Sequence, residues 1–289
     1  MAKRARIFVS LLVSLLILAG AAMRADLYIK SLAREANRRY VTWQSRDMYA
    51  VRGDHFVVFS KPAQKDSAPL VLAVAEKFYP AIARDFGLHN LGPSPVILYG
   101  DMADLNSRFG WHSSYSTMGV YWAGTIHVLA PHEWAGEGEV EEQFASNGPM
   151  AHEITHLAVD VLTRGSCPRW FNEGIAQYEE YRLTGFSFAD PLAFDFSTAY
   201  SLAELTDFDA LADQTKAYNQ VFSMVYFAAE EFGWPALRNV LADLGRGRGL
   251  DRALAANLGA DLSEFIGLWS DWLVQGQESF SGLPNMELM

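Results

Sequence analysis

The chain has 289 residues, of which 50% are hydrophobic and 13% aromatic, so it is long enough for one large domain or two modest ones with a substantial core. Its formal net charge of −11 disfavours nucleic acid and anionic membrane surfaces as partners, because both select clustered lysine and arginine. The one cysteine, Cys167, excludes a disulfide within the chain, so packing must hold the fold together.

The first residues have the pattern of an export signal. The basic sequence Lys3-Arg4-Ala5-Arg6 precedes an apolar run from Ile7 to Ala22. As a helix this run would be about 24 Å long, slightly short of a bilayer core. Small residues at Ala19-Gly20-Ala21 fit a cleavage site. These features predict a signal peptide over residues 1–23.

The same region also fits an uncleaved signal anchor. The helical pattern continues through Met23–Tyr40 with no proline or glycine, which favours membrane anchoring through residues 7–22 and a helical stalk or linker over residues 24–50. Both alternatives place the rest of the chain outside the cytoplasm, in the cell envelope, either membrane-anchored or periplasmic or secreted after cleavage. A buried helix of a cytoplasmic protein is the third alternative.

Residues 51–148 alternate between strand-like and helix-like patterns, which predicts an α/β subdomain. His55–Phe59 and Pro95–Tyr99 are short apolar runs that predict strands. Gly119–Leu129 predicts a third strand or a hairpin, and Ile126–Leu129 is its most strand-like part. The sequence between these strands predicts two helices, one capped by Ser67 and running to about Phe86 with a kink at Pro80, and one capped by Asp101 and ending near Phe109.

Residues 149–182 carry the predicted metal site. Positions i and i+4 lie on one face of a helix, so His152 and His156 direct two imidazoles towards one point, a spacing that suits a tetrahedral zinc ion. Glu153 lies beside the first histidine and can contact a water on the metal. A catalytic zinc takes three protein ligands, and Glu173 is the candidate third ligand if the intervening loop turns a second helix back against the first. A histidine pair on the exposed face of a helix is the alternative.

The rest of the chain predicts helices. After Tyr181 the sequence contains glycine, proline and several aromatic residues, which predicts a loop. We expect this loop to cover the rim of a substrate cleft beside the metal site. Helical patterns follow at Lys216–Phe232, Pro235–Leu244 and Asp261–Leu273. The expected units are a helical C-terminal subdomain over residues 183–277 and a tail over residues 278–289.

Two segments resemble the gluzincin metallopeptidases. Trp170-Phe171-Asn172-Glu173-Gly174-Ile175-Ala176-Gln177-Tyr178 resembles their W-x-x-E-G-x-A-x-Y segment, and His152–Asp160 is similar to the zinc helix of thermolysin-type enzymes. Both segments occur at about this spacing in the peptidase MA-like family of bacterial proteins. The resemblance is strong over residues 149–180 and moderate over residues 200–275. Before residue 149 only the order of predicted strands and helices is similar.

The resemblance implies an α+β fold of the gluzincin (zincin-like) type. This architecture has a mixed α/β N-terminal subdomain with an edge strand over the cleft, a zinc-binding helix pair and an all-helical C-terminal subdomain. An edge strand of this kind adds an extended peptide as an extra strand, which would make Ile126, His127 and Val128 substrate-binding residues. Tyr218 is the expected hydroxyl donor across the cleft, and a tyrosine packed under a helix is its alternative.

The resemblance also implies the chemistry. His152, His156 and Glu173 would bind one zinc ion per chain, and Glu153 would be the general base that hydrolyses a peptide bond in a peptide or protein substrate. Gln177 stands where thermolysin-type enzymes have an aspartate, so a carboxylate partner for a ligand histidine must come from another place or be absent.

The predicted function is therefore a zinc-dependent metallopeptidase that acts outside the cytoplasm. An endopeptidase is favoured because residues 110–135 contain nothing like the G-x-M-E-N segment of aminopeptidase N-type enzymes. An aminopeptidase, a non-catalytic zinc-bound module for binding or assembly at the cell envelope, and hydrolysis of a non-peptide amide in the cell wall are the alternatives. A non-catalytic site would have no use for Glu153 and closes all four metal positions.

Overall fold

The computed structural model describes residues 25–89, 92–112, 117–136 and 138–281. The predicted signal peptide or anchor at residues 1–23 lies outside this part of the chain, as does most of the predicted tail. Among the residues described, none of the helices combines the length and apolar character needed to span a bilayer.

Five strands form one mixed sheet in the order β1-β2-β3-β5-β4. The three inner strands are mutually parallel and almost fully buried, which explains why they read as continuous apolar runs. The two outer strands pair antiparallel to their neighbours. The strands are β1 (Tyr49–Arg52), β2 (Phe56–Ser60), β3 (Ser94–Tyr99), β4 (Gly119–Trp122) and β5 (Thr125–Leu129).

The hairpin β4–β5 corrects the predicted edge strand. Ile126, His127 and Val128 lie on β5, whose backbone is paired with β3 on one side and β4 on the other. These three residues therefore have no free backbone edge for a substrate, and β4 is the edge of the described sheet at this end. The prediction was wrong because a strand with neighbours on both sides is more apolar, and so more strand-like in sequence, than the edge strand next to it.

The N-terminal half contains four α-helices among the described residues. They are α1 over residues 25–44, α2 (Ala68–Phe86), α3 (Met102–Phe109) and α4 (Val140–Asn147). Asp101 caps α3 as predicted, by accepting a hydrogen bond from the backbone N–H of Asp104 at 2.7 Å. Ser67 makes no such bond at the start of α2, and its hydroxyl lies 3.1 Å from Nδ1 of His132 instead. Pro80 lies inside α2 without ending it.

The predicted stalk is folded onto the domain. Leu27 and Val41 of α1 are buried, and β1, which follows α1, is a strand of the sheet. A stalk and a docked helix share the same amphipathic pattern, so the sequence alone does not distinguish them.

The helix pair α5 (Met150–Thr163) and α6 (Arg169–Thr184) packs together at the centre of the molecule, with α2 on the other side of α5. Arg164 and Gly165, both with positive φ, end α5 and turn the chain back. Gly174 allows α6 to approach the next helix, because a Cβ at this position would lie 2.5 Å from the carbonyl oxygen of Val221.

The C-terminal part is all-helical within residues 183–281, as predicted. Its α-helices are α7 (Gln214–Phe232), α8 (Trp234–Gly245), α9 (Leu250–Leu258) and α10 (Leu262–Ser281). The short helix α9 was not predicted, although Ala253, Leu254 and Leu258 give it a buried face against α8. One hydrophobic core joins the sheet, α2, α5, α6 and these helices. The structure is thus α+β and consistent with the zincin-like fold.

Candidate active site

The candidate site lies between the first turns of α5 and the N-terminal half of α6. Because α5 is helical from Met150, His152 and His156 share one face. The turn after α5 brings α6 back against that face, so Glu173 reaches both imidazoles. The sequence prediction that these three side chains converge is consistent with this placement.

The three side chains are arranged as metal ligands. Oε2 of Glu173 lies 3.6 Å from Nε2 of His152 and 3.4 Å from Nε2 of His156. A tetrahedral zinc ion with bonds of about 2.0–2.1 Å keeps its ligand atoms roughly 3.4 Å apart. One potential ligand atom from each of the three residues lies within 4.8 Å of the other two. Two imidazole nitrogens and one carboxylate oxygen at these distances fit zinc.

Each ligand histidine is oriented by a hydrogen-bond partner on α6. Nδ1 of His152 lies 3.1 Å from Oε2 of Glu180, and Nδ1 of His156 lies 3.0 Å from Oδ1 of Asn172. Both acceptors require the proton on Nδ1, which leaves the Nε2 lone pairs directed towards Glu173 and available for a cation. The outer partners thus fix the tautomer that metal binding needs.

Sequence reasoning missed these two partners. Glu180 follows Glu173 by two helical turns and therefore lies on the same face of α6, which is the signal that could have found it. Gln177, one turn after the ligand, contacts no ligand histidine by a described bond; its amide donates to the carbonyl oxygen of Tyr218 at 3.0 Å. The carboxylate partner of a ligand histidine therefore comes from another place, as the sequence allowed, and that place is Glu180.

The charges in the site favour a cation. Burial alone would raise the pKa of Glu173, but the imidazoles of His156 and His152 hold this pKa well below its usual range. Burial lowers the pKa of His152, but its hydrogen bonds to the carboxylates of Glu173 and Glu180 raise it more, so the net pKa lies well above the usual value. With Glu153 beside them, these carboxylates give the site the negative potential that a divalent ion requires.

Glu153 is buried beside this cluster. It is 5% exposed, and its Oε2 has no hydrogen-bond partner among the described residues. Burial raises the pKa of this carboxyl above its usual value, against the lowering effect of the two imidazoles and of the nearby backbone N–H of Tyr121 on β4. A buried carboxylate oxygen without a protein partner, next to a metal-ligand cluster, is suited to take a proton from water.

The edge strand β4 runs directly beside Glu153. A Cβ at Gly119 would lie 2.7 Å from Cβ of Pro149 and 3.0 Å from Cγ of Glu153. Any side chain at this position would therefore displace the carboxylate or the start of α5. Within the described sheet, the strand with an unpaired backbone edge is therefore the one that borders Glu153.

The other predicted residues lie elsewhere. The imidazole of His127 is buried between the hydroxyls of Tyr99 and Thr125, each 2.9 Å away, and burial lowers its pKa to about 3. It is a neutral structural residue inside the sheet. Tyr218 is half-buried on α7, with its ring 5.2 Å from that of Phe208, and its role as a hydroxyl donor stays a prediction.

Comparison with known proteins agrees with this arrangement. No curated protein matches the chain in sequence. The model of one protein family, described as the peptidase MA superfamily, matches residues 82–275. The match begins within α2, includes the hairpin, both ligand helices and α7 to α9, and ends within α10. It covers about two thirds of the sequence and indicates a metallopeptidase. The chain therefore belongs to the peptidase MA superfamily.

Proposed function

We propose that the protein is a zinc-dependent endopeptidase in which His152, His156 and Glu173 hold the metal and Glu153 is the general base. The observation that carries this proposal is the buried Oε2 of Glu153, which has no described partner and lies one residue from a ligand of the convergent cluster. A zinc ion held by these residues would lower the pKa of a bound water towards neutrality and polarise the substrate carbonyl.

The protein groups supply the proton transfers. Glu153 accepts a proton from the attacking water at its free oxygen and passes it to the leaving nitrogen as the peptide bond breaks. Its raised pKa favours the first transfer, because a carboxylate with a higher pKa is the stronger base. Glu180 and Asn172 keep the imidazoles oriented throughout.

Endopeptidase action is favoured by the strand that borders Glu153. The residues of β4 are Gly119, Val120, Tyr121 and Trp122, and none of them carries a carboxylate that would bind a free substrate amino group. The backbone of β4 pairs with β5 on one side only within the described sheet. An extended peptide added at this edge would continue past Glu153 in both directions.

Metal removal tests this function. The purified protein is expected to contain about one zinc per chain and to cleave a casein-type substrate with blocked amino termini. Dialysis against a chelator should abolish cleavage, and one equivalent of zinc should restore it. Activity that persists in protein shown by elemental analysis to be zinc-free would contradict the metal's role. Cleavage only of substrates with free amino termini would indicate an aminopeptidase instead.

We also propose that the protein acts outside the cytoplasm, on the basis of the basic and apolar sequence of residues 3–22. Cell fractionation followed by N-terminal sequencing of the mature protein tests this proposal. A start shortly after residue 21 indicates a cleaved signal peptide, and an intact start in the membrane fraction indicates an anchor. Recovery of the full-length chain in the cytoplasmic fraction would exclude both.

A further inference from the structure

The helix α1 packs on the tight turn of the β4–β5 hairpin. The turn consists of Ala123 and Gly124, which both have positive φ. The side-chain amide of Asn37 donates to the carbonyl oxygen of Ala123 at 3.0 Å. A Cβ at Gly124 would lie 2.7 Å from Cγ of both Arg34 and Arg38, so only glycine lets α1 approach this closely. The turn is thus held from outside the sheet.

A chain of polar contacts continues from α1 to the zinc helix and back to β4. Nη1 of Arg34 donates to Oδ1 of Asp160 at 3.3 Å and to its backbone carbonyl oxygen at 3.0 Å. The other carboxylate oxygen of Asp160 accepts a hydrogen bond from the hydroxyl of Tyr121. The same hydroxyl accepts from the backbone N–H of Gly124 at 2.8 Å. One carboxylate on α5 therefore connects α1 with the edge strand.

These contacts are shielded from water. The side chains of Arg34 and Asp160 are 15% and 18% exposed, and Tyr121 is only half-buried as a whole residue although its hydroxyl is enclosed by Asp160 and Gly124. A paired charge that is largely out of solvent holds its partners more firmly than one on the surface, where water and salt screen it. Removing Arg34 would leave Asp160 partly buried without its cation.

The edge strand in turn contacts the base. Gly119 of β4 lies against the Glu153 side chain, where an added Cβ would approach Cγ to 3.0 Å, and β4 packs on α5. β4 has four residues and pairs with β5 alone in the described sheet, so its own ladder holds it weakly. Its position relative to α5 depends on the contacts that Tyr121 and the turn make outside the ladder.

We propose that Arg34, Asp160 and Tyr121 are positioning residues that hold the edge strand β4 against the zinc helix α5. Through Arg34, α1 thus helps to keep the active site in its active arrangement. Arg34 lies outside the segment that the family match covers. These residues act through β4 and Glu153 and need not touch the substrate. The kinetic part of this inference rests on the proposed peptidase function, whereas the structural part does not.

The experiment compares full-length Arg34→Ala, Arg34→Lys and Arg39→Ala variants. Arg39 is the matched control, because it lies on α1 but is 79% exposed and pairs only with Glu35 of the same helix among the ion pairs described. Hydrogen exchange is measured for the amides of residues 119–129, together with zinc content, kcat and KM. Arg34→Ala is expected to speed exchange in β4 at least about tenfold, to leave zinc bound, and to lower kcat/KM about tenfold, chiefly through KM. Arg34→Lys should recover part of both effects.

Two results would overturn the inference. One is an Arg34→Ala variant whose exchange in β4 and whose kinetics match those of Arg39→Ala. Where Arg34→Ala destabilises the whole chain, Tyr121→Phe carries the test, because it removes one hydroxyl and keeps the packing of α1. Faster exchange confined to residues 119–124 supports the inference, and unchanged exchange overturns it. A wild-type protein with no peptidase activity would refute the proposed function and leave the exchange measurement as the test of positioning.

Discussion

The Glu153→Gln variant is expected to lose about 10³-fold in kcat on a blocked casein-type peptide while it keeps its zinc. Glutamine has nearly the shape of glutamate but does not accept a proton at its amide, so the substitution removes the base and leaves the ligand set in place. The loss corresponds to about 4 kcal/mol of transition-state stabilisation. The measurement pairs steady-state kinetics with elemental analysis on the same preparation.

Glu142→Gln is the matched control for this variant. Glu142 is an exposed glutamate on the first turn of α4, and it belongs neither to the ligand cluster nor to its hydrogen-bond partners. It should leave kcat within about twofold, as surface substitutions do. Full activity in Glu153→Gln would dismiss Glu153 as the base. Loss of both zinc and activity would assign this residue a structural part in the metal site.

Zinc binding should weaken in three further variants, strongly where a ligand is removed and less where only a hydrogen-bond partner of a ligand is changed. His152→Ala removes a ligand and should reduce the zinc content from about one per chain to a small fraction. Glu173→Ala should do the same, because its Oε2 faces both imidazoles. Glu180→Gln leaves all three ligands, and it should lower zinc affinity by about 10–100-fold through its hydrogen bond to His152. Competition with a chromogenic chelator ranks the affinities.

His132→Ala provides the histidine control for this series. His132 is half-exposed and lies outside the convergent cluster, so its removal should leave the zinc affinity unchanged. Full zinc binding by His152→Ala would refute the ligand set. An affinity for Glu180→Gln equal to that of the wild type would show that its hydrogen bond to His152 does not support the metal.

The ligand set could be predicted from sequence because it depends on local geometry. A four-residue spacing on a helix fixes the relation of His152 to His156 whatever surrounds it. Glu173 can approach the two histidines only if the chain reverses direction between the two helices. The glycine and proline of the intervening loop predicted that turn. Where a site is defined by one helix and one turn, its residues can be read from the chain.

The hydrogen-bond partners of the histidines could not be predicted in the same way. Which residues of α6 face His152 depends on how α6 is rotated against α5, and the packing of Gly174 against Val221 contributes to that rotation. A resemblance to thermolysin-type enzymes directed attention to position 177, whereas the packing places Glu180 at the imidazole. The rotation of a helix about its axis is determined by packing across the whole core, so it cannot be predicted from a local sequence pattern.

The position of α1 was also beyond sequence reasoning. Arg34 and Asp160 are separated by 126 positions in the chain, and neither is unusual in its own surroundings. The alternation of apolar and charged residues along residues 25–44 fits a solvated stalk as well as a docked helix. The contacts of α1 in the fold, among them the pairing of these two charges, show which surface it covers.

The docking of α1 limits how far the chain can be shortened from its amino-terminal side. Leu27 is buried in the first turn of α1 and Val41 in the last. A protease that cut between them would disrupt the contacts of α1 with the β4–β5 hairpin but would remove none of the candidate metal ligands. Under the proposed function, such a fragment would still bind zinc and would turn over its substrate poorly. A fragment that keeps these contacts must therefore begin before residue 27, well before residue 82, where the family match starts.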